Sequence, residues 1–490
     1  MTPLSALNGT RRRRGFAGVG AACLLVASLA VAAVAQAQST QTGPAPSTKD
    51  SSLTWNGITF YGIIDIGLQY ITHSAPFSDY FPAGSGDIIQ KNSRPNSATG
   101  VTPNNLSQSR LGLSGNEHLW GDWSGVFKLE TFFQPDSGNL SDALKSLALN
   151  NGKALNAQNV GVDSSVAGQL FQGAAYAGFA SKSFGQITFG RQVTLIADNI
   201  NTYDPMTASQ AFSVIGLSGT TAGGGDTEDR RLDHSVKYDG RFQGAHLGLM
   251  YQFPQAGGSE NTAYQAVLGY AAAGFSVDAY YGKKYNAVSA SSLSAAQVAA
   301  LPAQGLSPSN SLAGTISDNT DYGLGALYNF GKAEIFAGYE HVNFENPKTP
   351  YPTPVTAANA QVIIGGYVLA AVNNTAFPNT KTLQIYWGGL KFMPRTDLDI
   401  IVAYYGYTQN SYGTGANAGC SDARAATCSG NLYGASAVID YHFTKRFDTY
   451  FGSMWTEVKN GLANGYLLAT YPDSNSANTI ATTWGIRFKW

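Results

Sequence analysis

The sequence predicts an all-β chain closed into an antiparallel transmembrane β-barrel of about sixteen strands. Three observations predict it. Segments in which apolar and polar residues alternate recur along the chain, the period-two pattern of a strand with one greasy and one wet face. The connections between these segments are alternately short and long. Charged residues make up only 12% of the chain, about half the roughly one quarter usual in soluble domains. A chain that places lipid against its outside needs no charge there and can keep it for lumen and loops.

The chain opens with four consecutive arginines, Arg11–Arg14, then an apolar run from Phe16 to Ala35 and the small-residue sequence Ala35-Gln36-Ala37. Positive, apolar and A-x-A regions in that order read as a secretory signal over residues 1–37, removed before Gln38. The run is also long enough to span a membrane as an anchor, but its Ala and Gly content and terminal processing site favour removal. A polar leader, 38–52, precedes the barrel domain, 53–490. The signal takes four of the 30 basic residues and none of the 31 acidic ones, leaving 26 against 31, a formal charge of −5. That balance argues against nucleic acid as a partner, since phosphate contacts need concentrated Lys and Arg. After Asp50 no stretch approaches the length of a helical membrane span.

In the first strand Ile58, Phe60, Ile64, Ile66, Leu68 and Tyr70 share one parity, and Thr59, Tyr61, Asp65 and Gln69 the other. A one-residue slip would exchange these faces, so the lipid side and the water side are both specified. Leu111 and Leu113 then point out while Arg110 and Ser114 point in; Phe127 and Leu129 point out while Lys128 and Glu130 point in. Val236 and Tyr238 alternate with Arg231, Asp233, Ser235 and Lys237, and similar segments continue to Trp484/Ile486/Phe488/Trp490. Tyrosine, phenylalanine and tryptophan recur near strand ends, as in interfacial aromatic girdles.

Short turns such as Gly121-Asp122, Asp239–Phe242 and Ala272–Gly274 separate long loops, among them Pro135–Gly168, Gln192–Arg230 and Asn286–Asn319. Short turns on one rim and long loops on the other fit an outer-membrane barrel. In residues 192–230 the alternation stops and no regular structure is expected. So long a connection is usually functional, and it reads either as a segment folded into the lumen to narrow it or as an ordinary surface loop. Cys420 and Cys428, the pair left after Cys23 in the signal, read as a disulfide within one exposed loop.

At Ser109-Arg110-Leu111-Gly112, Phe127-x-Leu129-Glu130, Tyr176-x-Gly178-Phe179, Phe184-Gly185-Gln186-Ile187-Thr188-Phe189-Gly190-Arg191-Gln192 and Arg231-x-x-His234-Ser235-Val236-x-Tyr238, the chain resembles the trimeric general porins of Gram-negative outer membranes, in particular the β-proteobacterial branch. The resemblance implies a sixteen-stranded homotrimeric barrel with its third loop folded inward as a constriction. It implies passive diffusion of small hydrophilic solutes and ions, with outer-membrane lipid, lipopolysaccharide and the barrel-assembly machinery as further partners. Inward arginines of that family match Arg110 and Arg231. A third, in a block like Phe-x-Arg-x-Ala-Tyr, is absent, because the chain reads Phe171-Gln172-Gly173-Ala174-Ala175-Tyr176. Trp490, with Phe488, would stand as the aromatic assembly signal where the family ends in Phe.

The expected constriction sets Arg110, Arg231 and Lys128 on the wall opposite Asp198, Asp204, Asp226, Glu228 and Asp229 on the loop. Alternatives are open for several of them. The loop carboxylates also read as solvated surface charges, Lys128 as the partner of an acid on an adjacent strand, and Arg191, which shares parity with Ile187 and Phe189, as an anchor of the loop base. A substrate-specific channel is a rival, with Tyr61 and Tyr405 as a stacking track for sugars. A barrel hydrolase using Asp233-His234-Ser235 is disfavoured, because adjacent strand residues point to opposite faces. A soluble β-sandwich is disfavoured by the outward apolar rows, which would aggregate in water. The six scattered histidines show no H-E-x-x-H or Cys/His cluster, and there is no phosphate-binding glycine loop, so no metal or cofactor is expected.

Overall fold

The computed structural model describes residues 53–81, 96–160, 165–215, 230–254, 262–421, 425–463 and 476–490. The expected signal and leader, and the loop acids Asp226, Glu228 and Asp229, lie outside the described residues.

Sixteen strands form the barrel wall. They are β1 Ile58–Ile71, β2 Arg110–Trp120, β3 Trp123–Phe132, β4 Ala174–Ser181, β5 Gly185–Val193, β6 Arg231–Phe242, β7 Ala245–Gln252 and β8 Ala263–Ala272. The second half comprises β9 Phe275–Ser291, β10 Ser311–Asn329, β11 Ala333–Glu345, β12 Lys381–Arg395, β13 Leu398–Gln409, β14 Gly430–His442, β15 Phe447–Asn460 and β16 Ser476–Lys489. Each pairs antiparallel with the next, and β16 returns to β1, with Ile64 opposite Phe488 and Gly67 opposite Gly485. The backbone of Trp490 exchanges two hydrogen bonds of 3.2 Å with Gly62. Closure leaves no open edge, as hydrocarbon requires.

The pleat carries the predicted faces. On β1, Phe60, Ile64, Leu68 and Tyr70 are exposed on the outside, whereas Asp65 and Gln69 are buried inside the barrel. The same inversion of a soluble protein runs round the wall through Phe189, Leu268, Leu324, Val402 and Phe451, all exposed. The two-residue turns Gln243-Gly244 (φ 49°, 92°) and Ala273-Gly274 (φ 51°, 83°) have positive φ at both positions. That is a type I′ turn, whose twist matches the flanking strands. The first of these stands two residues beyond the expected turn at Asp239–Phe242, because β6 continues to Phe242.

The longer connections start and end on the other rim: L1 (72–109), L2 (133–173), L3 (194–230), L4 (253–262), L5 (292–310), L6 (346–380), L7 (410–429) and L8 (461–475). The residues expected to form one loop over Asn286–Asn319 partly extend β9 and β10 instead. Among the described residues three loops carry α-helices: α1 Ala143–Ala148 in L2, α2 Leu195–Tyr203 in L3 and α3 Ala295–Gln304 in L5. The helix in L3 departs from the irregular segment expected. Thr194 caps it by accepting the Ala197 N–H at 3.1 Å, and Leu195, Ile196 and Ile200 supply a buried apolar face.

That face explains where the largest apolar cluster sits. Leu195, Ile200, Met206, Phe212 and Val214 of L3 pack against inward side chains of the wall, including Val267, Trp387, Tyr405 and Tyr450. The approach is close because the wall offers glycines there. A Cβ on Gly248, Gly282, Gly325, Gly389 or Gly452 would lie 2.5–2.8 Å from Leu195, Ile196, Tyr203, Pro205 or Phe212 respectively. L3 thus lies in a glycine track that runs from β7 to β15.

Candidate functional site

The inner wall of β2, β3 and β6, away from that track, gathers Arg110, Lys128 and Arg231. They are held around one carboxylate, Glu130, itself buried. Lys128 Nζ lies 3.2 Å and Arg110 Nη1 3.7 Å from Glu130 Oε2, and the Tyr61 hydroxyl donates to the same oxygen at 2.9 Å. Arg110 and Arg231 both lie over the Phe132 ring, 5.8 and 4.6 Å from its centroid. Each is oriented by its Nε, which donates to the carbonyl of Gln108 at 3.0 Å or of Gly173 at 2.7 Å. Lys128 therefore pairs within its own strand, two residues along, rather than across to a neighbour.

Gly173 stands where the resembling family carries its third arginine. A Cβ there would meet Phe132 and Glu130 at 2.8–2.9 Å, so this backbone position has no room for a longer side chain.

Asp198 projects from α2 with 47% of its side chain exposed and forms an ion pair with Lys237 on β6. Lys237 also donates to the Val193 carbonyl at 3.0 Å. Asp204 behaves differently from its expected place on the constriction. It is fully buried, accepting the Tyr405 hydroxyl at 2.7 Å and the backbone N–H of Ala208 at 2.8 Å and Met206 at 3.2 Å. With no exposed surface it meets no passing solute; it ties the end of α2 to β13. Tyr61 and Tyr405 are likewise buried, which removes the surface a stacking track needs.

Arg191 breaks the parity read from Ile187 and Phe189. The β5–β6 register shifts between Gly190 and Gln192, where β6 carries one extra residue, and the guanidinium is buried at the base of L2 rather than exposed. There it binds Asp233 at 2.6 Å, the Ser165 carbonyl at 2.6 Å and the Gln172 carbonyl at 2.8 Å. Glu130, Lys237 and Asp233 were all legible as inward residues by parity, but nothing in the sequence marked them as partners of Arg110 and Lys128, of Asp198 and of Arg191 respectively.

The remaining candidates resolve simply. Cys420 and Cys428 are bonded. The Ser235 hydroxyl donates to the Gly190 carbonyl at 2.8 Å and is buried, while His234 is exposed, so the two do not form a nucleophile–base pair. Asp399, Asp440 and His442 lie close enough to share a cation. Lys391 and His442 already hold Asp399 at 2.9 and 3.2 Å, and Arg487 holds Asp440 at 3.0 Å, which makes the cluster an ion-pair network.

Comparison with known proteins agrees with this barrel. The sequence profile of the Gram-negative porin family matches residues 21–461. The chain belongs to that family. This porin is 29% identical over 198 residues to an outer membrane porin protein of Bordetella pertussis, an alignment covering 40% of this chain and 42% of that one. It is 24% identical over 299 residues to outer membrane porin protein 32 of Delftia acidovorans, covering 60% and 66%. The porin thus spans less than two thirds of the length of either of these relatives. In fold it is similar to the anion-selective porin from Comamonas acidovorans, with a TM-score of 0.55 and 15% identity over 88% of this chain and 99% of that one. Its place is the Gram-negative outer membrane.

Proposed function

We propose that this porin is a water-filled channel for passive diffusion of small hydrophilic solutes and ions, narrowed where L3 faces the Arg110–Lys128–Arg231 wall. One observation carries the reading: L3 is docked on the β7–β15 side of the lumen, which leaves the basic wall of β2, β3 and β6 as the opposite bank. An ion crossing hydrocarbon faces a desolvation cost of order tens of kcal/mol by idealised estimates, and a wet lumen removes most of it. At the narrow section, low-dielectric walls focus the field of nearby charges. Screening at ~0.15 M salt acts over about 8 Å, comparable to such an opening.

Arg110, Lys128 and Arg231 surround the single carboxylate of Glu130, and the comparison porin from Comamonas is named for anion selectivity. Both support a preference for anions. Asp226, Glu228 and Asp229 belong to the same proposal as loop acids that temper it. The burial of Tyr61 and Tyr405 favours general diffusion over a sugar-specific channel. Three copies associate, as the family resemblance implies, and the terminal Phe488 and Trp490 serve recognition by the assembly machinery.

The test is planar-bilayer recording of the purified protein in a salt gradient. Conductance steps in groups of three and a reversal potential on the anion side are expected. A protein that inserts but conducts nothing sinks the reading.

A further inference from the structure

L2 leaves the wall at β3 and returns at β4, yet its helix α1 packs on the far side of the barrel. Leu144, Leu147 and Ala148 of L2 are buried together with Ala290 at the top of β9, Leu312 at the top of β10 and Tyr367 of L6. From β4 to β9 is five strands and from β3 to β10 seven, where half the ring is eight. A ring of this size, with strands ~4.8 Å apart and tilted ~40°, is roughly 30 Å across. L2 therefore crosses the loop-side mouth instead of lying on its own rim.

The far landing is built for it. β9 and β10 are 17 and 19 residues long, whereas no other described wall strand exceeds 15. Their extra length carries apolar residues that a wet lumen would not select, and L2 and L6 cover them. Polar contacts fix the crossing. Asn151 Nδ2 donates to the carbonyls of Pro308 and Ser311 at 2.8 and 2.7 Å, and its Oδ1 accepts the Leu293 N–H at 2.7 Å. Asp142 joins three loops at once. It caps α1 by accepting the Lys145 N–H at 2.8 Å, accepts the Tyr367 hydroxyl of L6 at 3.0 Å, and donates its backbone N–H to Tyr80 of L1 at 2.8 Å.

We propose that L1, L2, L5 and L6 form a fixed bridge over the outer mouth, with Asp142 as its positioning residue, and that this bridge is a second size filter independent of the charged constriction. It divides the mouth, so bulk is limited there while ion preference is set deeper at Arg110 and Arg231. The inference rests on the channel reading above and adds where size is selected.

The test is swelling of liposomes carrying the full-length protein, with glucose and raffinose as probes, alongside reversal potentials. Asp142→Ala, and separately replacement of residues 143–160 by a Gly-Ser linker, should each raise raffinose uptake relative to glucose several-fold with the reversal potential unchanged. Limited proteolysis of L2 in Asp142→Ala reports whether the bridge has been released. An unchanged raffinose-to-glucose ratio in the linker variant overturns the bridge as a filter, as does an equal rise for both sugars. If both wild-type and linker proteins pass neither sugar, the channel reading itself fails.

Discussion

Tyr405 on β13 donates its phenolic proton to Asp204 at the end of α2, 2.7 Å away and out of contact with solvent. The bond joins the inward loop to the wall opposite its own root. Nearby, the Trp387 indole donates to the Tyr203 carbonyl at 2.9 Å. Further along, the loop docks on the return of L1, where the Asn105 carbonyl accepts the Ala211 N–H and the Ser209 hydroxyl at 2.9 and 2.8 Å. That return is itself held by Asp65, which accepts the N–H groups of Leu106 and Ser107 at 3.0 and 2.8 Å. L3 is thus tied down along its described length.

Tyr405→Phe removes one donor from a buried carboxylate and should cost about 1–3 kcal/mol of loop docking. Single-channel records should show added open-state noise. A quiet channel with wild-type conductance would mean that the bond does not hold the loop.

Burial holds the Asp204 carboxyl above the usual carboxylate range, against the hydrogen bonds from Tyr405, Ala208 and Met206. The docked loop then binds this proton more tightly than a free loop would. Docking is strongest below the ordinary value of about 3.9 and weakens as pH rises through the docked-state value. Open-state noise should accordingly fall as the pH is lowered toward the ordinary carboxylate value of about 3.9, and Asp204→Asn should flatten that dependence. Noise that grows on acidification reverses the assignment.

Gly325→Ala places a methyl 2.5 Å from the Tyr203 ring. Overpacking of this kind costs about 1–3 kcal/mol, and the loop, held less firmly than the hydrogen-bonded wall, should give way toward the lumen. Lower conductance from a normally folded barrel is expected; wild-type conductance would place the loop elsewhere.

Neutralising both Arg110 and Arg231 to Gln should move the reversal potential toward cations, and Glu130→Gln should move it toward anions. Opposite shifts from residues within one cluster distinguish a field at the constriction from a general change in net charge. Identical reversal potentials in all three proteins would reject the cluster as the selective element.

Leu268, on the outside of β8, is 68% exposed. If that surface meets hydrocarbon, Leu268→Arg should cost about 2–4 kcal/mol in lipid, the range for a basic residue near the bilayer midplane. Unfolding by denaturant in liposomes measures it, and a neutral result would place the residue at the interface or in water.

The strand faces were legible because the pleat has a period of two: once Ile64 points out, Asp65 points in, and a sixteenfold repetition of that rule implies a barrel. The rule failed wherever the backbone departed from it. One extra residue on β6, between Leu232 and Ser235, shifts the register opposite Arg191, and the alternation carries no sign of it. The glycines of β7, β9, β10, β12 and β15 align into a track only once the strands are in register. Asp204 looked like a pore charge by residue type, and its burial depends on Tyr405, two hundred and one residues away.

By itself the sequence determined that this chain is a closed β-barrel with lipid outside and charge inside, because local alternation decides which face each side chain takes. Only the tertiary structure decided which inward charges meet one another and which loops cross the lumen. Those outcomes depend on register, bulges and contacts between segments far apart in the chain, and no local pattern encodes them.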